Sequence, residues 1–263
     1  MADHIVYTES NGPSLINQVA VRHPDGTGYR VLTAPDSLFV APLISPDGRR
    51  IAFSHYQDGT LDLCVMNSEG AGRLRLTDTP QANETAADWT PDGATILYGE
   101  ATAAWYQVRP DGSDRHEASI PADADSPRIA RDGSAVTFFA FRDNQMDVFT
   151  AGLDGSNVTN LTGGAGLNFW PSWSPDGSRI AFVSTLANTE KYYDLYSMAR
   201  DGSDVRVVAR GVGPYPASWS PDGRELVFAR GDLFVVQADG TGLRNITNTP
   251  EWIEEYPNWS PVR

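Results

Sequence analysis

Short runs of apolar residues alternate with clusters of turn residues along the whole chain, a pattern that predicts strands rather than helices. The clearest unit is Ser172-Trp173-Ser174-Pro175-Asp176-Gly177-Ser178-Arg179-Ile180-Ala181-Phe182. Ser172-Trp173-Ser174 is extended, since a residue before proline is pushed out of the helical region. In Pro175-Asp176-Gly177, proline presets φ, aspartate bonds its own backbone and glycine accepts positive φ, which makes a turn. Ile180-Ala181-Phe182 resumes a strand. The unit returns at Trp89, at Trp219 and, truncated, at Trp259, with weaker copies at Ile44 and Ile129. Eleven Asp-Gly dipeptides punctuate the 263 residues, a hairpin signal repeated along the chain. No convincing amphipathic helix is present.

From Ile44 through Trp89, Ile129, Trp173 and Trp219 to Trp259, the spacings are 45, 40, 44, 46 and 40 residues. That period matches a four-stranded propeller blade. Each repeat offers a Trp-Ser-Pro strand, an apolar strand such as Ile51-Ala52-Phe53, a third strand such as Asp194-Leu195-Tyr196 and a short fourth strand ending near threonine, as at Thr77, Thr162 and Thr247. The chain starts mid-repeat, with Ile5-Val6-Tyr7 in second-strand position, and ends on a first strand. The expected fold is therefore all-β, one domain over residues 1–263: a six-bladed β-propeller of four-stranded antiparallel blades, closed by the C-terminal strand joining the N-terminal blade.

The recurring Trp-Ser-Pro-Asp-Gly, Ile-Ala-Phe, Asp-Leu-Tyr and Leu-Thr elements resemble the TolB-type WD40-like β-propeller repeat family over essentially residues 4–263. The resemblance implies the fold. Related blades occur in the periplasmic Tol–Pal protein TolB, in the propellers of prolyl-oligopeptidase-type peptidases and in single-domain proteins, so it does not select one function. The N-terminal domain of TolB and the hydrolase domain of those peptidases have no counterpart in the sequence.

Charge narrows the partners. A net charge of −14 argues against nucleic acid and against anionic membranes, and no apolar run approaches the length of a membrane helix. Met1-Ala2-Asp3-His4 leads directly into a strand without a basic, apolar leader, so a cytoplasmic location is expected, or a periplasmic one if a leader has been removed. A monomer is expected. The lone cysteine, Cys64, reads as a small buried hydrophobe. The four histidines, His4, His23, His55 and His116, read as separate surface or turn residues.

In a propeller, first strands line the axis and the segments leading into them meet at one mouth. Those segments hold Glu84, Asp125, Asn168, Phe169, Trp170, Tyr215, Glu254, Glu255 and Tyr256, an aromatic and acidic set without lysine or arginine. They are the candidate ligand-binding residues, suited to a cation, a sugar-like molecule, a peptide or a protein segment. Glu84, Asp125 and Glu255 are weak candidates for a channel Ca²⁺ or Mg²⁺; otherwise no cofactor is expected. No Gly-x-Ser-x-Gly elbow, phosphate loop or nucleophile–base pair is visible. A non-catalytic binding or scaffold propeller is the favoured reading. The alternative is an enzyme with an acidic, possibly cation-dependent axial pocket acting on a small polar or carbohydrate-like substrate. The recurring third-strand aspartates (Asp62, Asp147, Asp194 and Asp232) and the repeated tryptophans read as structural.

Overall fold

A computed structural model describes residues 3–11, 16–35, 37–80, 82–100, 104–186 and 193–260. Its regular elements, among the described residues, are all strands, gathered into six four-stranded antiparallel sheets. Blade one pairs Ile5–Asn11 with Gln18–Arg22 on one side and with the C-terminal strand Trp252–Trp259 on the other. The expected ring closure is therefore present: Ile5 faces Trp259 and Val6 faces Asn258. The inner strands of blades two to six are Phe39–Ile44, Glu84–Trp89, Asp125–Ile129, Asn168–Trp173 and Ser218–Trp219. Each inner strand ends on the residue used above to count the period.

The turn after each inner strand of blades two to six is built by its own residues. Gly48 N–H donates to Ser45 C=O at 2.8 Å, while Asp47 accepts the Arg49 N–H at 3.0 Å and the Ser45 hydroxyl at 2.7 Å. Gly48 stands at φ 69°, the left-handed region that a side chain would strain. Between the second and third strands, aromatic pairs stack across the blade. Phe138 lies over Phe149 at 5.7 Å, Phe182 over Tyr196 at 5.6 Å and Phe228 over Phe234 at 5.7 Å. Cys64 takes the corresponding place opposite Phe53 in blade two. Burial pushes its thiol up to about 11, which suits an inert packing group.

The tryptophans join neighbouring blades. Trp219 packs with Ala181, Leu195 and Val208 of blade five as well as Leu226 and Phe228 of its own blade. Its indole N–H, like those of Trp89 and Trp173, donates to a carbonyl of the preceding inner strand: Trp89 to Leu43 at 3.0 Å, Trp173 to Arg128 at 3.1 Å and Trp219 to Ser172 at 3.2 Å. The backbone is stitched in the same way. At three of the six junctions the side chain before the tryptophan position accepts the next blade's N–H, Asn258 from Ile44 at 2.9 Å, Asp88 from Ile129 at 2.8 Å and Ser218 from Trp259 at 3.0 Å. The histidines depart from expectation. His4 and His23 belong to one blade, and their rings lie 4.2 Å apart, because they flank paired strands.

Candidate binding mouth and axial channel

Five of the six inner strands carry the same irregularity. The two residues between Val40 and Leu43 oppose one on the neighbouring strand, and the offset recurs at Asp125–Arg128, Phe169–Ser172 and Glu255–Asn258, with a related shift between Ala86 and Asp88. This is a β-bulge, which re-aims side chains at the rim of a sheet. Its extra residue sits at positive φ without being glycine: Ala41 at 50°, Ser126 at 47°, Trp170 at 53° and Tyr256 at 52°. Backbone strain of this kind, repeated around a ring, is held only where the surrounding structure determines it, and it clusters at functional sites.

The bulge breaks the strand alternation, so two consecutive residues face the mouth. Val40 with Ala41, Thr85 with Ala86 and Asp125 with Ser126 line one cavity of about 440 Å³, together with Trp170, Pro216, Tyr256, Trp105 and Arg128. Asp125, Trp170 and Tyr256 of the sequence-derived set therefore meet there. Three others flank it. Tyr215 donates its hydroxyl to Glu255 and packs its ring 5.2 Å from Tyr256. Phe169 packs edge-on against Phe139 and Tyr193 at 5.6 and 5.9 Å.

Glu84, Asn168 and Glu254 do not reach the mouth. They precede the bulge and turn back between blades, where each is buried. There the third-strand aspartates hold the wedge. Asp147 accepts from Thr162 at 2.6 Å and from Asn168 at 3.2 Å, and Asp232 accepts from Thr249 N–H at 3.0 Å and Asn245 at 2.6 Å. Asp194 takes Gly211 N–H at 2.9 Å, and Asp62 pairs with Arg75 at 2.8 Å. Among the described residues, no group of three or more His, Cys, Asp or Glu is placed to hold a metal ion, so Glu84, Asp125 and Glu255 do not converge.

Burial raises the Glu254 carboxyl from its ordinary 4.5 to about 7; the Thr249 and Thr247 hydroxyls work against the shift, while the charges of Asp232 and Glu9 add to it. A folded-state value above the unfolded one means that the stabilising contribution is complete below pH 4.5 and is lost as pH rises through 7. Glu254→Gln keeps a neutral side chain in the wedge. It is expected to flatten the fall in melting temperature over that window and to exceed the wild type at pH 8 by about 1–3 kcal/mol, taking 1.36 kcal/mol per pKa unit as the ceiling. Melting curves of both proteins from pH 4 to 9 check this; parallel curves would show that the carboxyl titrates normally.

The axial channel below the mouth was not visible in the lead-in segments. A narrower space of about 120 Å³ continues inward, lined by Leu43, Asp88, Arg128, Ser172, Ser218 and Asn258 and ending at the turn residues Pro46, Pro91, Arg131, Pro175 and Pro221. Arg128 lines both spaces. The mouth thus lacks basic residues only on its upper wall. The signal that could have found the arginines is a column comparison: among its own repeats, only Arg128 and Arg131 place a cation before the tryptophan position or at the turn proline.

A closed six-bladed propeller with a strained, aromatic mouth and an axial channel defines the class of protein. The TolB beta propeller domain model matches residues 107–262, and the chain belongs to that family. An uncharacterized Agrobacterium fabrum protein is 25% identical over 98% of this chain and 93% of its own length. An uncharacterized peptidase of Bacillus subtilis is 28% identical over 60% of this chain, which spans 24% of the peptidase. TolB from Acinetobacter baumannii superposes with a TM-score of 0.86 at 19% identity, over 98% of this chain and 66% of that one. At that identity the likeness speaks for the fold.

Proposed function

We propose that the chain is a non-catalytic binding propeller whose mouth holds a peptide segment of a protein partner, or a small ligand of the same chemistry. One observation carries the reading. The bulges of separate blades aim Trp170, Tyr256 and their neighbours into a single cavity on a rigid scaffold, and fixed aromatic anchors at the centre of a concave surface are what dominates binding energy. Two of the three carboxylates lining the cavity are tied into ion pairs, which supports binding over proton-transfer chemistry, and the third, Asp125, accepts the Ser126 hydroxyl at 2.9 Å. Glu100 pairs with Arg115, and Asp123 pairs with Arg142 at 2.6 Å, which holds the Asp123 carboxyl below its usual range. A general acid or base needs a value near the working pH instead.

The test uses glycine substitutions, because Trp170 and Tyr256 stand at positive φ and glycine removes each ring without backbone strain. Peptides selected from a displayed library on the wild-type protein are expected to bind Trp170→Gly/Tyr256→Gly at least about tenfold more weakly. Selected peptides that bind both proteins equally would move the site away from the mouth.

A further inference from the structure

Blade four alone carries a cation at the residue before the tryptophan position and at the turn-proline position. At the position where Asn258, Asp88 and Ser218 accept the next blade's N–H, and where blades two and five carry the uncharged Leu43 and Ser172, blade four has Arg128. Where the other described turns have proline, it has Arg131. The turn itself is unchanged: Gly133 N–H donates to Ala130 C=O at 2.8 Å, as Gly48 does to Ser45. Arg131 is therefore not demanded by the turn that it stands in.

Both line the 120 Å³ channel, and the other charged group lining it is Asp88. The Asp88 oxygens are already engaged, one by Trp89 N–H at 2.9 Å and one by Ile129 N–H at 2.8 Å. Among the described residues neither guanidinium has a carboxylate within 4.0 Å; Arg128 donates to the Ala87 carbonyl. Ser172, on the next inner strand, has a buried hydroxyl oxygen with no hydrogen-bond partner among the described residues. Burial disfavours the charge on Arg128, with the Asp88 carboxylate opposing the effect. Arginine nonetheless stays charged at neutral pH. The channel therefore carries two cations against one anion, Arg128 half-buried on its wall and Arg131 exposed at its turn end, in a protein whose net charge is −14. Guanidinium groups that line a channel without a carboxylate partner offer a seat for a planar anion.

We infer that the axial channel binds a carboxylate between Arg128 and Arg131, carried on a peptide terminus or a small molecule that enters through the mouth. The inference rests on the mouth being the entrance to the site. A planar carboxylate matches the fork of a guanidinium, and Arg128 at the junction of the two spaces meets it first. The channel volume equals about four waters at ~30 Å³ each, room for a carboxylate with a little water and none for a bulky head group. The acidic exterior, in turn, would repel polyanions.

The test restores blade four to the pattern of its neighbours. Arg128→Ser gives blade four the residue of blades five and six, and Arg131→Pro supplies the turn residue of the other described blades, so the double variant is expected to keep the fold. Thermal shifts are read in succinate, in N-acetyl-triglycine, in the amide of that peptide and in inorganic phosphate, each against sodium chloride at equal ionic strength. Succinate or N-acetyl-triglycine is expected to raise the wild-type melting temperature above the chloride baseline and to leave the double variant on it. The peptide amide is expected to act on neither. Equal shifts in both proteins, a shift with phosphate alone, or no carboxylate-specific shift in the wild type would overturn the inference. A response to N-acetyl-triglycine marks a peptide terminus as the source and a response to succinate alone a free carboxylate; either keeps the channel site. Library peptides that bind wild type and double variant equally, yet lose affinity in Trp170→Gly/Tyr256→Gly, would keep the mouth and remove the channel site.

Discussion

Truncation before Glu255 is expected to abolish cooperative folding. The removed segment supplies the axial half of the strand that pairs with Ile5, Val6 and Thr8. It also takes Trp259 out of a cluster with Ile5, Tyr7, Val227, Leu233 and Val235, which joins the first blade to the sixth. Three junction bonds go with it: Asn258 to Ile44 N–H, Ser218 to Trp259 N–H, and Ser260 N–H to the His4 carbonyl at 2.7 Å. Loss of one buried tryptophan alone costs about 3–5 kcal/mol. A typical domain has only about 5–15 kcal/mol in total. The truncation also leaves residues 5–8 of the neighbouring strand with an unpaired edge, a template for association. The expected result is an aggregated or unfolded product by size-exclusion chromatography and circular dichroism. A monomer with unchanged melting would mean that the ring does not depend on its closing strand.

The blade register was legible because its signals are local. Proline, aspartate and glycine build each turn from within four residues, and the tryptophan period counts blades without reference to anything distant. The mouth was only partly legible for the opposite reason. Strict alternation would put Glu84, Asn168 and Glu254 on the face of the cavity, and it is the bulge that turns them away. Nothing local announces that bulge. Ala41, Ser126, Trp170 and Tyr256 adopt positive φ although none is a residue that favours it, so the conformation comes from packing around the ring. The arginines were hidden in a different way. Arg128 and Arg131 sit inside the repeat unit, where the eye reads them as imperfect copies of a structural motif. Their meaning emerges only once the inner strands are known to surround a common axis.

The same strand contains two tryptophans with opposite expected behaviour, and Trp173→Ala separates them. Trp173 is buried among Ala130, Val148, Ile180, Phe182, Tyr196 and Met198, with the Arg200 guanidinium 5.1 Å from its ring centroid. Alanine would leave a cavity between blades four and five and strip the Arg128 carbonyl of its indole donor. The expected loss is about 3–5 kcal/mol for the cavity, with about 1 kcal/mol more for the unpaired carbonyl. Trp173→Phe keeps most of the packing and forfeits the hydrogen bond, so it is expected to cost less than half as much. Trp170 lies three residues earlier but only partly buried at the mouth, where its ring meets Phe139 at 5.3 Å. There Trp170→Gly offsets lost packing with relief of a strained φ, and the expected change stays within about 1.5 kcal/mol. Urea unfolding of the three variants at equal m-value ranks them. A Trp173→Ala loss below about 1 kcal/mol would place that side chain outside the blade interface and shift the whole inner-strand register, and with it the assignment of the mouth.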